Sequence, residues 1–117
     1  MKIRINGNFV RLRLSQSEVD QFASKGQIGD AIQFGTRSLT YQLVTSQQEE
    51  VSVDFDGTKI SVQVPKNMSE QWTETDLVGF ENADQTHVRI LVEKDFQCLH
   101  KRPGEDESDN FPHPAAD

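Results

Sequence analysis

The residues best suited to chemistry lie in one stretch, CLHKRPGEDESDNFPHP, at residues 98–114. This stretch contains the only cysteine of the chain and two of its three histidines. The sulfur, nitrogen and oxygen ligands that we select from it are Cys98, His100, His113, Glu105 and Asp106. Three Cys or His ligands, completed by a carboxylate or a water, would suit zinc or nickel. One hypothesis is therefore a small metal-binding protein.

The spacing of these ligands matches no standard metal motif. Structural zinc sites pair ligands at C-x₂₋₄-C or H-x₃₋₅-H, and EDESD lacks the glycine and terminal glutamate of a calcium loop. Cys98 and His100 could also act as nucleophile and base, but nothing in the sequence would orient that base. Packing of Cys98 as a small apolar residue is the competing interpretation. GxSxG, P-loop, GxGxxG and HExxH motifs are absent from the sequence, so no motif indicates an enzyme.

A second group of candidates lies at the other end, in MKIRINGNFVRLRL. Asn6-Gly7 is the preferred pair for a two-residue type I′ turn, which would pair Arg4 with Phe9 and Lys2 with Arg11. Apolar residues would then share one face of the hairpin. The opposite face would carry Lys2, Arg4, Phe9, Arg11 and Arg13. Four cations around a phenylalanine favour binding of a protein partner or a small anion.

Three interpretations of this cationic face are open. The acidic run EDESD could lie over it or compete for it, with Phe111 packing on apolar surface nearby. An anion- or phosphate-binding enzyme could use Lys2, Arg4, Arg11 and Arg13. The cations could also be a solvent face that neutralises carboxylates such as Glu18, since exposed ion pairs contribute only about 0–1 kcal/mol.

The elements that would position these residues are short. Ser15 with Glu18 predicts a capped helix, and PKNMSEQWTETD predicts a second helix whose Met68 and Trp72 face the core. AIQFGTRSLTYQLV predicts two strands around Gly35-Thr36. EEVSVDFDGTKISVQV predicts a hairpin that turns at Asp56-Gly57. HVRILVE is apolar on both faces, which indicates a central strand, and we find no internal repeat.

These elements predict an α+β fold. We expect a mostly antiparallel sheet of about six or seven strands, or a small barrel, with two short helices and an extended C-terminal tail. Residues 1–100 would form a single domain, and residues 101–117 an acidic, proline-containing tail.

Composition narrows the classes of partner. The net charge of −7 disfavours nucleic-acid binding, because phosphate repels an acidic surface. No apolar run approaches the roughly 18 residues of a membrane span, and the N-terminal stretch has no apolar core of a signal peptide. A single cysteine cannot form an internal disulfide. We therefore expect a cytoplasmic protein without nucleic-acid or membrane partners.

Three stretches, MKIRINGNFVRLRLSQSEV, WTETDLVGFE and ILVEKDFQCLHKRPGEDESDNFPHP, resemble a family of small bacterial proteins of unknown function. The resemblance covers most of the chain and implies a bacterial, cytoplasmic, single-domain protein, but it assigns no site residues. The leading hypothesis is a non-enzymatic binding module that uses the cationic face and the acidic tail. A metal-binding protein is the alternative, and an anion-binding enzyme is the third.

Overall fold

The computed structural model describes residues 1–96, 109–112 and 114. Within these residues the chain forms eight strands and two helices. The strands are β1 (Lys2–Asn6), β2 (Phe9–Leu14), β3 (Gln27–Phe34), β4 (Arg37–Ser46), β5 (Ser52–Phe55), β6 (Lys59–Pro65), β7 (Gly79–Glu81) and β8 (Arg89–Lys94). The helices are α1 (Gln16–Lys25) and α2 (Lys66–Glu74). Neither helix is long and apolar enough to cross a bilayer.

The strands form two four-stranded mixed sheets that share one core. The first sheet has the order β1-β2-β8-β7 and the second has the order β3-β4-β6-β5. Hairpin neighbours are antiparallel, but β2 runs parallel to β8 and β4 runs parallel to β6. The α+β class is confirmed. The small barrel is not formed. Instead of the expected single sheet of six or seven strands, the described residues form two sheets, and a parallel pair of strands lies at the centre of each.

The order of elements contains a repeat that the sequence analysis missed. β1, β2, α1, β3 and β4 form one ββαββ unit, and β5, β6, α2, β7 and β8 form a second. Each sheet takes one hairpin from each unit. Phe22 of α1 and Trp72 of α2 occupy corresponding positions, and both are fully buried. The repeat is therefore one of topology and core position.

The first hairpin turns one residue later than we expected. Asn6 pairs with Phe9, so Gly7 and Asn8 are the central turn residues. Gly7 has φ +57°, whereas no non-glycine residue in the described part of the chain has a positive φ. Glycine at the first central position is the preference of a type II′ turn. The expected pairing of Arg4 with Phe9 and Lys2 with Arg11 is wrong. The two predicted faces are nevertheless correct, because the opposing residue shifts by two positions and strand side chains alternate with period two.

The same correction applies to the hairpin of β5 and β6. A turn centred on Asp56-Gly57 would pair Asp54 with Lys59, but Phe55 pairs with Ile60 and Asp54 lies opposite Ser61. Gly57 has φ +101°, and the Asp56 carboxylate accepts hydrogen bonds from the backbone N–H groups of Thr58 and Lys59 at 2.9 and 2.7 Å. The glycine again comes first in the turn, because the aspartate side chain organises the residues that follow it.

Both helices pack between the sheets at the end opposite the hairpin turns. The Ser15 backbone N–H donates to Glu18 Oε1 at 2.9 Å, and Gly26 ends α1 with φ 75°, so the predicted capped helix is confirmed. The rings of Phe22 and Trp72 meet edge to face at 6.2 Å. Trp72 Nε1 donates to the carbonyl of Val78 at 3.1 Å. Trp72 is therefore a core residue, as predicted.

Candidate functional site

The predicted metal ligands lie outside the part of the chain that the structure describes. These ligands are Cys98, His100, His113, Glu105 and Asp106. Among the described residues, no group of three or more His, Cys, Asp or Glu side chains could hold a metal ion. Metal binding at residues 98–113 stays a prediction. Native mass spectrometry before and after a chelator would check it.

The predicted cationic residues lie together on the outer face of the first sheet, which we call the basic face. It consists of Lys2, Arg4, Phe9, Arg11 and Arg13. Arg4 lies opposite Arg11, and Lys2 lies opposite Arg13. Ile3 and Leu12 pair on the other side of the hairpin and turn toward the core. Alternation along two short strands therefore points the positive charges away from the core.

The neighbouring strand β8 adds residues to this face that sequence reasoning did not select. Arg13 lies beside Glu93, and Phe9 lies beside Arg89. The alternation in HVRILVE could have placed Arg89 and Glu93 on one side of a strand. It could not have placed that strand next to β2, because the parallel pairing joins segments about 80 residues apart in the chain.

Glu93 lies between two arginines of the basic face. Its Oε1 accepts hydrogen bonds from Arg11 Nε at 2.6 Å and from Arg13 Nε at 2.7 Å. Burial opposes ionisation of this carboxyl, but the hydrogen bonds and charges of both arginines outweigh burial. The pKa of Glu93 therefore lies below its ordinary value. Glu93 is ionised at neutral pH and offsets part of the positive charge.

Two further ion pairs lie on or beside this face. Lys2 Nζ contacts Asp95 Oδ2 at 2.8 Å. Arg89 contacts Glu81 at 2.7 Å, and its guanidinium lies 4.5 Å from the centre of the Phe9 ring. Lys2, Arg11, Arg13 and Arg89 thus each have a carboxylate partner. Within the described residues, Arg4 has none.

Two shallow grooves run side by side along the hairpin. One has a volume of about 230 Å³ and is lined by Arg4, Asn6, Phe9 and Arg11. The other has a volume of about 370 Å³ and is lined by Lys2, Ile3, Arg4, Arg11 and Arg13. Arg4 and Arg11 line both. The basic face therefore offers an elongated concavity rather than one enclosed pocket.

The described part of the tail lies against α1 and the end of β8. The carbonyl of Asp109 accepts from the Gln16 N–H at 2.9 Å, and its carboxylate accepts from Ser17 Oγ at 2.7 Å. The Phe111 ring lies 5.7 Å from the Phe96 ring and joins the edge of the core. The last aspartate of EDESD therefore contacts the N-terminus of α1 and not the cationic side chains. Residues 105–108 lie outside the described chain.

One interpretation of the cationic residues is that they neutralise carboxylates such as Glu18. Glu18 is not neutralised by the basic face, because its carboxylate contacts the Met1 nitrogen. The carboxylates that neutralise basic-face residues are Glu93 and Asp95.

Comparison with known proteins identifies a family but no activity. A family model described as a family of unknown function (DUF7009) matches residues 1–115. No curated protein and no solved structure matches the chain.

Proposed function

We propose that this chain, which belongs to the family of unknown function DUF7009, is a non-enzymatic binding module that holds an extended acidic segment of a partner protein along the basic face. The observation that carries this proposal is the local surplus of positive charge. Five cations, with Arg89 included, meet three carboxylates there, and Arg4 faces none of them within the described residues. A single cysteine favours a cytoplasmic location, since it cannot form an internal disulfide.

The shape of the face favours an extended ligand over a compact anion. Lys2 and Arg4 are two residues apart on β1, as are Arg11 and Arg13 on β2, so neighbouring cations repeat every 7 Å or so along each strand. Carboxylates on alternate residues of an extended peptide have the same spacing. Donors for a single phosphate would instead converge on one point. The two adjoining grooves also follow the strands and not a single centre.

The net charge of the chain sets the range over which this recognition acts. With a net charge of −7, the whole molecule repels an acidic partner at a distance. Attraction therefore depends on close contact with the basic face, where the surplus is local. Because exposed charges are screened by salt, we expect binding to weaken as the ionic strength rises.

A labelled peptide with alternating Glu and Ser residues tests the proposal by fluorescence anisotropy. We expect the wild-type chain to bind this peptide and not a Gln/Ser peptide of equal length. Arg4→Gln should weaken binding about fivefold, the effect of losing one exposed ion pair of about 1 kcal/mol. Arg37→Gln is the matched control, because Arg37 is exposed on the other sheet. Equal losses in both variants, or no binding by the wild type, would contradict the proposal.

We propose residues 105–107 of the acidic run as a second ligand for the same face, since Asp109 already binds Ser17. Deleting residues 101–117 would test this poorly, because it would also remove the contacts of Asp109 and Phe111. The combined variant Glu105→Gln, Asp106→Asn and Glu107→Gln keeps both residues. If the tail competes for the basic face, this variant binds the Glu/Ser peptide more tightly than the wild type does. Unchanged affinity for the Glu/Ser peptide would show that the tail does not compete for the basic face.

A further inference from the structure

The two sheets leave four strand edges in the described part of the chain, and three of them are protected. β1 carries Lys2 and Arg4, while β5 and β7 have only four and three residues. Edge cations and short length are two ways in which proteins prevent strand pairing at an edge. β3 is different, because it has eight residues, no proline and a single charge at Asp30. Its outer edge lacks the usual protection.

The backbone groups that face this outer edge follow from the hairpin register. Phe34 and Arg37 close a two-residue turn, so they form a hydrogen-bonded pair. In an antiparallel pair of strands, hydrogen-bonded residue pairs alternate with non-hydrogen-bonded ones. Gly26 and Thr45 form a hydrogen-bonded pair, as this alternation requires, because the Thr45 N–H donates to the Gly26 carbonyl at 2.9 Å. The even-numbered residues of β3 therefore bond to β4. The residues whose N–H and carbonyl groups turn outward are Gln27, Gly29, Ala31 and Gln33.

Apolar side chains accompany these free backbone groups. Ile32 and Phe34 are 43% and 63% exposed. They lie on the same face of β3 as the buried Ile28. The side chains of a strand added at the outer edge would pack beside Ile32 and Phe34 while its backbone bonds to β3. Edge pairing would therefore remove apolar surface from water as well as satisfy free N–H and carbonyl groups.

We infer that β3 is a dimerisation edge, at which two copies of this chain pair their β3 strands antiparallel about a two-fold axis. Of the four outward-facing residues, Gly29, Ala31 and Gln33 are spaced symmetrically about Ala31. A register centred on Ala31 pairs Ala31 with itself and Gly29 with Gln33, so that all three are used in both copies. A register centred on Asp30 would oppose two carboxylates. The second sheets of the two copies would join into one eight-stranded sheet.

Native mass spectrometry and light scattering test the inference on the full chain. We expect a wild-type dimer. Ala31→Pro removes an outward N–H without touching the bonds between β3 and β4, so the dissociation constant should rise about tenfold or more. Ala31→Val, the matched control, keeps the N–H and should remain dimeric. A wild-type monomer at every concentration up to the solubility limit would overturn the inference. A folded Ala31→Pro variant with undiminished dimerisation would also overturn it.

Disulfide trapping tests the register even if the proline variant does not fold. In a Cys98→Ser background, Ala31→Cys would bring two Cα atoms to about 5.5 Å, within the range of a disulfide. Gln33→Cys lies on the same face of the same strand, but its two copies would be about 13 Å apart. We expect oxidation to cross-link the first variant and leave the second uncross-linked. Equal cross-linking of both, or of neither, would contradict the β3 pairing in this register.

Discussion

Glu93 sets how much positive charge the basic face presents to solvent. Its side chain is only 15% exposed, and one of its oxygens accepts from both Arg11 and Arg13. A single carboxylate thus binds two of the four cations that the sequence predicts for this face. Arg4, which has no carboxylate partner among the described residues, is the side chain most available to an external ligand.

Glu93→Gln gives a prediction with a defined pH dependence. A carboxyl whose pKa is lowered in the folded chain stabilises the fold above its ordinary pKa, and this stabilisation is lost as the pH falls. The wild type should exceed the variant in stability by about 1 kcal/mol or less at neutral pH, because both arginines are partly exposed. The difference should shrink as the pH falls through about 4.3 and disappear below the lowered pKa. Urea denaturation at several pH values measures it.

The exposed Glu70 of α2 supplies the control for this measurement. Glu70→Gln changes the same chemical group, and Glu70 forms no ion pair among the described residues, so we expect little change at any pH. A stability difference for Glu93→Gln that stayed constant from neutral pH to below pH 4 would show that the ion pairs are not its source.

Among the elements, α1 depends on a segment that is far away in the chain. Its N-terminal N–H groups carry partial positive charge, and Asp109 supplies a carbonyl to Gln16 and a carboxylate to Ser17. Hydrogen bonds from Ser17 and Ser15 lower the pKa of Asp109, which keeps the carboxylate charged. Phe111 follows two residues later, and its N–H donates to the Asp95 carbonyl at 2.7 Å. The tail therefore ties α1 to the end of β8.

Phe111→Ala should destabilise the chain by roughly 1–2 kcal/mol, since Phe111 is half-buried and full burial of Phe is worth about 3–5 kcal/mol on truncation. Phe55→Ala is the matched control, because Phe55 is 61% exposed and surface substitutions change stability by about 0.5 kcal/mol or less. Urea denaturation compares the two variants. Equal effects would mean that the contact between Phe111 and the core edge contributes nothing.

For the whole molecule, the interleaving of the two ββαββ units has an energetic consequence. Each sheet needs a hairpin from both units, and the core joins Leu12 and Phe22 of the first unit to Val62 and Trp72 of the second. Neither unit can bury its apolar face alone. The chain should therefore unfold as one cooperative domain.

Leu43→Ala tests this cooperativity, because Leu43 is fully buried in the first unit while the only tryptophan, Trp72, reports on the second. The substitution should cost about 2–5 kcal/mol and shift the urea midpoint of Trp72 fluorescence together with that of far-UV circular dichroism. Ser38→Ala, exposed on the same strand, should shift neither. A Trp72 transition that stayed at the wild-type midpoint would show that the two units unfold independently.

Local signals in the sequence determined the faces of the first hairpin, the caps of α1 and the α+β class. Ser15 with Glu18 and the final Gly26 define α1, and the period of two places Ile3 and Leu12 inward whichever residue begins the turn. The register depends on the turn itself. Asn6-Gly7 and Asp56-Gly57 predict type I′ turns, but glycine takes the first central position in both, since a type II′ turn needs a positive φ there alone.

Only the tertiary structure decided which hairpins become neighbours. The pairings of β2 with β8 and of β4 with β6 are parallel and nonlocal, and they depend on packing of whole faces that no short segment encodes. These pairings bring Glu93 to the arginines of the basic face and leave β3 at an edge. The charged residues could be identified from the sequence. Their partners could not, because an ion pair between strands 80 residues apart exists only after the sheet has formed.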